Sequence, residues 1–184
     1  MRTCAMTVSL VAVGLAAAGC GGSRQEQTTE EAKMELTSSA FQNEERIPEK
    51  HTGDGADVSP PLSWTDPPDE TAAFVLVCDD PDAPGGAWVH WVLYDVPPDI
   101  RALPEGASPR DAELQGAKQG RNSFRKLDYG GPAPPPGAPH RYFFKLYAVA
   151  QPTGLAEGAT QEAVMQAIDG HVLAVGELMG TYSR

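Results

Sequence analysis

Two histidines and a tyrosine are the side chains in this sequence best placed for hydrogen-bonding or proton-transfer chemistry. His90 lies in the run Trp88–Val92, and His140 and Tyr142 lie in the run His140–Phe144. Side chains two residues apart on a strand share a face. Tyr142 therefore points the same way as His140, and His90 shares its face with both ends of its run. Each histidine follows a Pro/Gly-rich loop at or near the start of a strand, which is where a β-sandwich carries its binding groups.

Two aspartates follow the preceding apolar run, in the segment Asp-Pro-Asp-Ala-Pro at 80–84. They are either plain turn residues or polar groups of a site. Asp80, Asp82 and Gly85 occupy positions one, three and six of a calcium loop, but position twelve is Trp91 where a bidentate glutamate is required. Zinc held by the two histidines and an aspartate is chemically feasible, yet the spacing matches no zinc signature. We expect no metal and no cofactor.

The elements that must position these side chains are mostly strands. Four runs have strand composition and end at Pro, Gly or Asp: Met34–Phe41, Ala72–Cys78, Trp88–Val96 and Arg141–Val149. The second is continuously apolar, as expected of a strand covered on both faces. A helix is predicted up to Ile168, with Thr160 as its cap and Gly170 as its stop. We therefore predict a mainly β fold, an antiparallel β-sandwich with one or two short helices near the C-terminus.

The N-terminus has the features of a bacterial lipoprotein leader. Arg2 precedes the apolar run Ala5–Ala18, which is too short to span a bilayer core of about 30 Å. The run ends in Leu15–Cys20, which resembles a lipobox except that Ala17 stands where leucine is usual. In such a motif the cysteine is lipidated and becomes the mature N-terminus. A plain secreted protein with a chance cysteine is the alternative.

This leader defines the expected organisation of the chain. We predict a signal peptide over 1–19, a lipidated Cys20 with a flexible polar tether over 20–33, and one domain over 34–184. The mature protein is expected to be exported and anchored to a bacterial membrane on the envelope side.

Charge and cysteine content exclude several function classes. The formal net charge is −11, without a basic stripe or arginine cluster, so nucleic-acid binding is not expected. Cys4 lies in the leader and Cys20 at the anchor, which leaves Cys78 alone in the domain and permits no disulfide within it. Because Cys78 ends an apolar run, we interpret it as inert core filling and not as a nucleophile.

Several segments in order resemble the phosphatidylethanolamine-binding proteins, also called Raf-kinase-inhibitor-like proteins, in their bacterial and archaeal subgroup. They are the stretch 54–64, the segment 80–84, Trp88–Trp91, the stretch 131–142 and the ending 171–182. The resemblance implies a large central β-sheet packed against a smaller one, with a shallow pocket at one end that accepts phosphate, acetate or a phosphoryl headgroup. The positions matching that pocket are Asp80, Asp82, Pro84, His90, Gly131, Pro132, His140 and Tyr142. The sequence departs from the family pattern at Arg125–Asp128, so the pocket rim is expected to differ.

The chemistry of these residues fits an anion. Two imidazoles, a phenol hydroxyl and a free backbone N–H near Gly131 are hydrogen-bond donors. Asp80 would repel an anion unless it pairs with an imidazole, and we prefer that pairing, which makes anion affinity rise as pH falls. The alternative for His90, between Val89 and Trp91, is a satisfied core histidine.

Two functions are compatible with this sequence. The first is a binding module that captures a small anion or phosphorylated headgroup, or docks and inhibits a protein partner, since the resemblance implies kinase or protease inhibition. The second is a hydrolase of a phosphoryl or acyl ester with His90 and His140 as acid and base. No Gly-x-Ser-x-Gly motif is present, and the residues around Ser123 do not match a nucleophile motif. We therefore expect that the protein is not an enzyme.

Overall fold

The computed structural model describes residues 32–65 and 67–184, together with Met1. The predicted signal peptide after Met1, Cys20 and most of the predicted tether lie outside the described residues. The elements in chain order are β1 Ala32–Lys33, β2 Leu36–Thr37, β3 Leu62–Trp64, β4 Ala73–Asp80, β5 Trp88–Val96, β6 Ala102–Leu103, β7 Lys118–Gln119, β8 His140–Val149, α1 Gln161–Ile168 and β9 Val172–Tyr182, with 3-10 turns at Glu49–His51 and Ala112–Leu114.

The strands form two sheets, as predicted for a sandwich. The large sheet has the order β1-β9-β8-β4-β5-β7 and the small sheet the order β2-β3-β6. All pairings are antiparallel except that of β1 with β9. In the described part of the chain, no helix has the length and apolar character needed to cross a bilayer.

Both faces of the large sheet are covered, which explains the continuous apolar run in β4. One face packs against the small sheet through side chains such as Phe74, Trp91 and Phe144. The other face carries a second cluster that includes Val75 from β4 and Val164 from α1. Every residue of β4 is buried. Side chains on a strand alternate between faces, so burial on both faces requires apolar residues at nearly every position.

The predicted helix is confirmed. The hydroxyl of Thr160 accepts a hydrogen bond from the Ala163 N–H at 3.3 Å, which satisfies one of the free donors at the helix start. Gly170 follows the helix with φ +73°, a left-handed conformation that glycine adopts without a steric penalty.

The predicted strand Met34–Phe41 is wrong. Residues 32–33 pair with β9 in the large sheet, whereas residues 36–37 pair with β3 in the small sheet. The chain crosses between the two sheets within a few residues, so no single strand can form here.

The alternation of side chains between the two faces of the sheet is interrupted in β5. Asp79 pairs with Val89 and Cys78 with Trp91, which leaves His90 as an extra residue in a β-bulge. As a result Val89 and Val92 pack in the same cluster, although alternation would place them on opposite faces.

Candidate functional site

A cavity of about 190 Å³ lies where the end of β4 meets the starts of β5 and β8. Five of the predicted site residues line it: Asp80, Pro84, His90, His140 and Tyr142. They come from three neighbouring strands and the loop after β4, so the antiparallel order of the sheet brings them together. The other lining residues are Ala83, Trp88, Phe124, Ala133, Pro134 and Pro135.

Asp80 and His140 form a buried pair on one side of the cavity. The Nδ1–H of His140 donates to Oδ2 of Asp80 at 2.8 Å, and the backbone N–H of Asp82 donates to Oδ1 at 2.8 Å. Both carboxylate oxygens therefore accept hydrogen bonds within the protein. This pairing compensates the buried charge of Asp80, which otherwise would oppose an anion in the cavity.

Both the ring and the backbone of His90 form a hydrogen bond with Gly130. Its Nδ1 lies 2.5 Å from the carbonyl oxygen of Gly130, and the Gly130 N–H donates to the His90 carbonyl at 3.0 Å. The ring packs edge-to-face against Tyr142 and Phe124. Burial lowers the pKa of His90, because removal from water disfavours the charged imidazolium.

The hydroxyl of Tyr142 is a buried polar group that the surrounding side chains do not satisfy. Tyr142 is 1% exposed, and its hydroxyl has no hydrogen-bond partner among the described residues. Its pKa is raised, first by burial and then by the negative charge of Asp80, so the phenol keeps its proton. A buried donor without a partner costs about 1 to 3 kcal/mol. Tyr142 is also one of the residues that line the cavity.

Three predicted site residues are not among those that line the cavity. Asp82 forms a two-pronged ion pair with Arg141, which lowers the pKa of its carboxyl to about 2. Gly131 donates its N–H to Oδ1 of Asp57 at 2.6 Å. The sequence analysis expected a free backbone N–H here, and this N–H is not free. Pro132 accepts a hydrogen bond from the backbone of the loop that contains Asp57. Asp82 and Pro132 directly precede the lining residues Ala83 and Ala133 in the sequence.

The sequence analysis missed the aromatic wall of the cavity. Trp88 and Phe124 are 38% and 37% exposed and meet edge-to-face with ring centroids 5.4 Å apart. The signal for Trp88 was its position two residues before His90. Phe124 had no comparable signal, because it is positioned by the hydrogen-bonded loop that starts at Asn122.

The remaining candidate residues lie in the core or outside the cavity. Cys78 is 1% exposed and burial raises its thiol pKa well above the usual range, so it is core filling as interpreted. The Nδ1 of buried His51 contacts the Val58 carbonyl at 3.0 Å, outside the cavity. Within the ranges that the structure describes, no three His, Cys, Asp or Glu side chains cluster in a way that could hold a metal ion.

Relatives and solved structures resemble this chain over most of its length. The UPF0098 proteins of Methanothermobacter thermautotrophicus and Aquifex aeolicus are 45% and 46% identical, cover 82% and 83% of this chain, and are matched over 99% and 90% of their own length. The structure of CT736 from Chlamydia trachomatis, a phosphatidylethanolamine-binding protein homologue, has a TM-score of 0.76 at 40% identity and covers 84% of this chain and 99% of its own.

A second structure extends the likeness to another bacterium. E. coli YbcL, described as a member of the mammalian phosphatidylethanolamine-binding protein family, has a TM-score of 0.76 at 31% identity, with 83% of this chain and 99% of its own covered. The sequence profile of the family named phosphatidylethanolamine-binding protein matches residues 37–183. With its two-sheet fold and the cavity at the strand ends, this chain belongs to the phosphatidylethanolamine-binding protein family.

Proposed function

We propose that this protein is a membrane-anchored binding module that holds a small anion or phosphoryl headgroup in the cavity lined by Asp80, His90, His140 and Tyr142. The observation that carries the proposal is the buried hydroxyl of Tyr142, which has no hydrogen-bond partner among the residues that the structure describes. A ligand oxygen in the cavity would satisfy it. The volume of about 190 Å³ is equivalent to about six water molecules, enough for a phosphoryl group and a small substituent.

The walls of the cavity favour a ligand with an organic part. Alanine, proline and aromatic side chains make up most of the lining, whereas the polar groups are confined to four residues. This combination is typical of small-molecule sites, in which a few polar groups orient a largely apolar ligand.

Binding is favoured over hydrolysis by the hydrogen bonds of the nearby groups. The hydroxyl of Ser123, the serine in the loop beside the cavity, accepts from the Val89 N–H at 2.9 Å. The serine lies in a backbone pairing, since its own N–H donates to the Val89 carbonyl. A nucleophilic hydroxyl instead requires a base within hydrogen-bond reach. The hydrolase with His90 and His140 as acid and base is therefore the second candidate.

Inorganic phosphate is expected to stabilise the folded protein. At a concentration one hundred times its dissociation constant, a ligand that binds only the folded state adds about 2.7 kcal/mol to the free energy of unfolding. Thermal unfolding with sodium phosphate, phosphoethanolamine and acetate, against sodium chloride at equal ionic strength, measures this effect. Equal melting temperatures in all four salts would contradict an anion site.

The proposed anchor makes a separate prediction. We expect Cys20 to be the first residue of the mature protein and to carry the lipid, because small residues precede it and a glycine-serine segment follows it. Mass spectrometry of the membrane fraction should detect an acylated N-terminal cysteine, and Cys20→Ser should release the protein from that fraction. A mature N-terminus at another residue would remove the anchor from the proposal.

The cavity end of the domain is also where a protein partner would dock. Besides Met1, the exposed large apolar side chains of the described residues are Trp88, Phe124 and Leu127. Two of them line the cavity and the third lies in the same loop as Phe124. Exposed aromatic side chains around a pocket are common anchors in protein interfaces. Inhibition of a kinase or a protease would use this surface.

A further inference from the structure

A second concave site lies at the edge of the large sheet, beside β7. It is a cleft of about 310 Å³, and its lining comes from β7, the loops on either side of β7 and the loop before α1. None of its lining residues belongs to the cavity that contains His90 and His140. We call this second site the edge cleft. Five polar residues line it: Ser108, Arg110, Gln119, Asp128 and Glu157.

Gln119 is the buried polar residue of the edge cleft. It is 4% exposed, and its side-chain oxygen accepts a hydrogen bond from the indole N–H of Trp91 at 3.0 Å. An indole N–H only donates, so the amide oxygen is the atom bound to Trp91. The NH₂ group has no acceptor among the residues that the structure describes. Its two hydrogens are therefore available for an acceptor in the edge cleft.

Three charged side chains line the edge cleft without pairing with one another. Arg110, Asp128 and Glu157 are exposed, and in the described part of the chain none of them belongs to an ion pair. Asp128 uses one carboxylate oxygen to accept the Tyr129 N–H at 2.8 Å, which leaves its second oxygen available. Opposite charges that share a cleft without pairing can be bridged by a ligand that carries both charges.

The charges of the edge cleft match a ligand with two cationic groups and one carboxylate. Asp128 and Glu157 can each accept hydrogen bonds from an ammonium group. The guanidinium of Arg110 and the NH₂ of Gln119 can donate to a carboxylate. The formal net charge of −11 also favours the approach of a ligand with a net positive charge.

We propose that the edge cleft binds a free dibasic amino acid, with its two ammonium groups on Asp128 and Glu157 and its carboxylate on Arg110 and Gln119. The volume of the cleft equals that of about ten water molecules, enough for a ligand of this size. Leu127, which is 44% exposed, provides an apolar contact for the carbon chain. This site is separate from the anion cavity and does not depend on the function proposed for it.

The test compares lysine with two analogues that each lack one charged group. Norleucine has no side-chain amine, and cadaverine has no carboxylate. We expect NMR titration of the ¹⁵N-labelled Cys20→Ser chain at pH 7 to give lysine at least about fivefold higher affinity than either analogue, because each analogue loses one charge pair. The side-chain NH₂ signals of Gln119 should shift with lysine, and the backbone amide signal of His90, in the other cavity, should not.

Arg110→Gln isolates the contact with the carboxylate. The side chain of Arg110 forms no hydrogen bond or ion pair with the described residues, so the variant should fold. We expect about fivefold weaker binding of lysine and no loss of affinity for cadaverine. Arg121→Gln is the matched control, because Arg121 is exposed, carries the same charge and does not line the edge cleft.

Three results would overturn the proposal. The first is the absence of lysine binding, and the second is binding of norleucine or cadaverine as tight as that of lysine. The third is an equal loss of lysine affinity in Arg110→Gln and Arg121→Gln, since the overall charge alone would then explain the effect. The titrations with phosphate test the anion cavity separately, so the failure of one site is distinguishable from the failure of the other.

Discussion

Replacement of His140 with alanine is expected to weaken phosphate binding by about ten- to a hundredfold, the equivalent of one charge-assisted hydrogen bond of about 1.5 to 3 kcal/mol. The side chain lines the cavity, and the hydrogen bond from its Nδ1 to Asp80 leaves its second nitrogen available for a ligand. His90→Ala should have a similar effect, because it removes the other imidazole. Titration calorimetry at pH 6 measures both losses.

Asp80→Asn tests how His140 is held. The carboxylate accepts two hydrogen bonds, one on each oxygen, from His140 and from the Asp82 N–H. An amide has one oxygen, so one of these donors would face an NH₂ group. We therefore expect weaker phosphate binding even though a negative charge is removed.

Asp79→Asn is the matched control for Asp80→Asn. Asp79 is the neighbouring residue of β4, does not line the cavity, and pairs with Lys145 at 3.1 Å. Its replacement should leave phosphate affinity within about twofold of that of the wild type. If Asp80→Asn strengthens binding while the control has no effect, the carboxylate only repels the ligand and the positioning role is wrong.

Gly131→Ala is expected to lower the free energy of unfolding by about 2 to 3 kcal/mol, as overpacking of a tight site does. A Cβ on Gly131 would lie 2.5 Å from the His51 carbonyl oxygen and 2.7 Å from Cα of Thr52. Backbone atoms cannot move aside as the end of a side chain can. The shift would also strain the 2.6 Å hydrogen bond from the Gly131 N–H to Asp57.

Urea unfolding of Gly131→Ala and Gly85→Ala measures this difference. Gly85 lies in the loop after β4 and has no positive φ, and a Cβ on it would meet no other atom within 4 Å. Its replacement should therefore change the unfolding free energy by less than about 0.5 kcal/mol. Equal stabilities of the two variants would show that the backbone around Gly131 can relax.

Local sequence patterns were sufficient for the long buried strands and the helix. β5 has the predicted bounds Trp88–Val96, and β8 begins one residue before the predicted Arg141. Along β8 the buried residues alternate from His140 onwards, as the face shared with Tyr142 requires. These elements were predictable because hydrophobic periodicity and capping act over only a few residues.

The last strand of the large sheet, β9, could not be predicted from such patterns. Glycines interrupt it, and glycine is unfavourable in strands. The structure gives the reason for two of them: a Cβ on Gly180 would lie 2.5 Å from Cγ1 of Ile47, and a Cβ on Gly176 would lie 3.2 Å from the Met34 carbonyl oxygen. The close approach of the preceding segments requires glycine, so a tertiary contact overrides local propensity.

Some features of the site could also be predicted from the sequence, whereas others depended on tertiary contacts. The sequence by itself determined the residue types of the candidate pocket, the strands that carry them and the family resemblance. Only the tertiary structure decided that Asp80 pairs with His140, that Asp82 pairs with Arg141, and that the Gly131 N–H is donated to Asp57. The partners in these hydrogen bonds are 59 to 74 residues apart, and local spacing carries no information about which donor meets which acceptor across the fold.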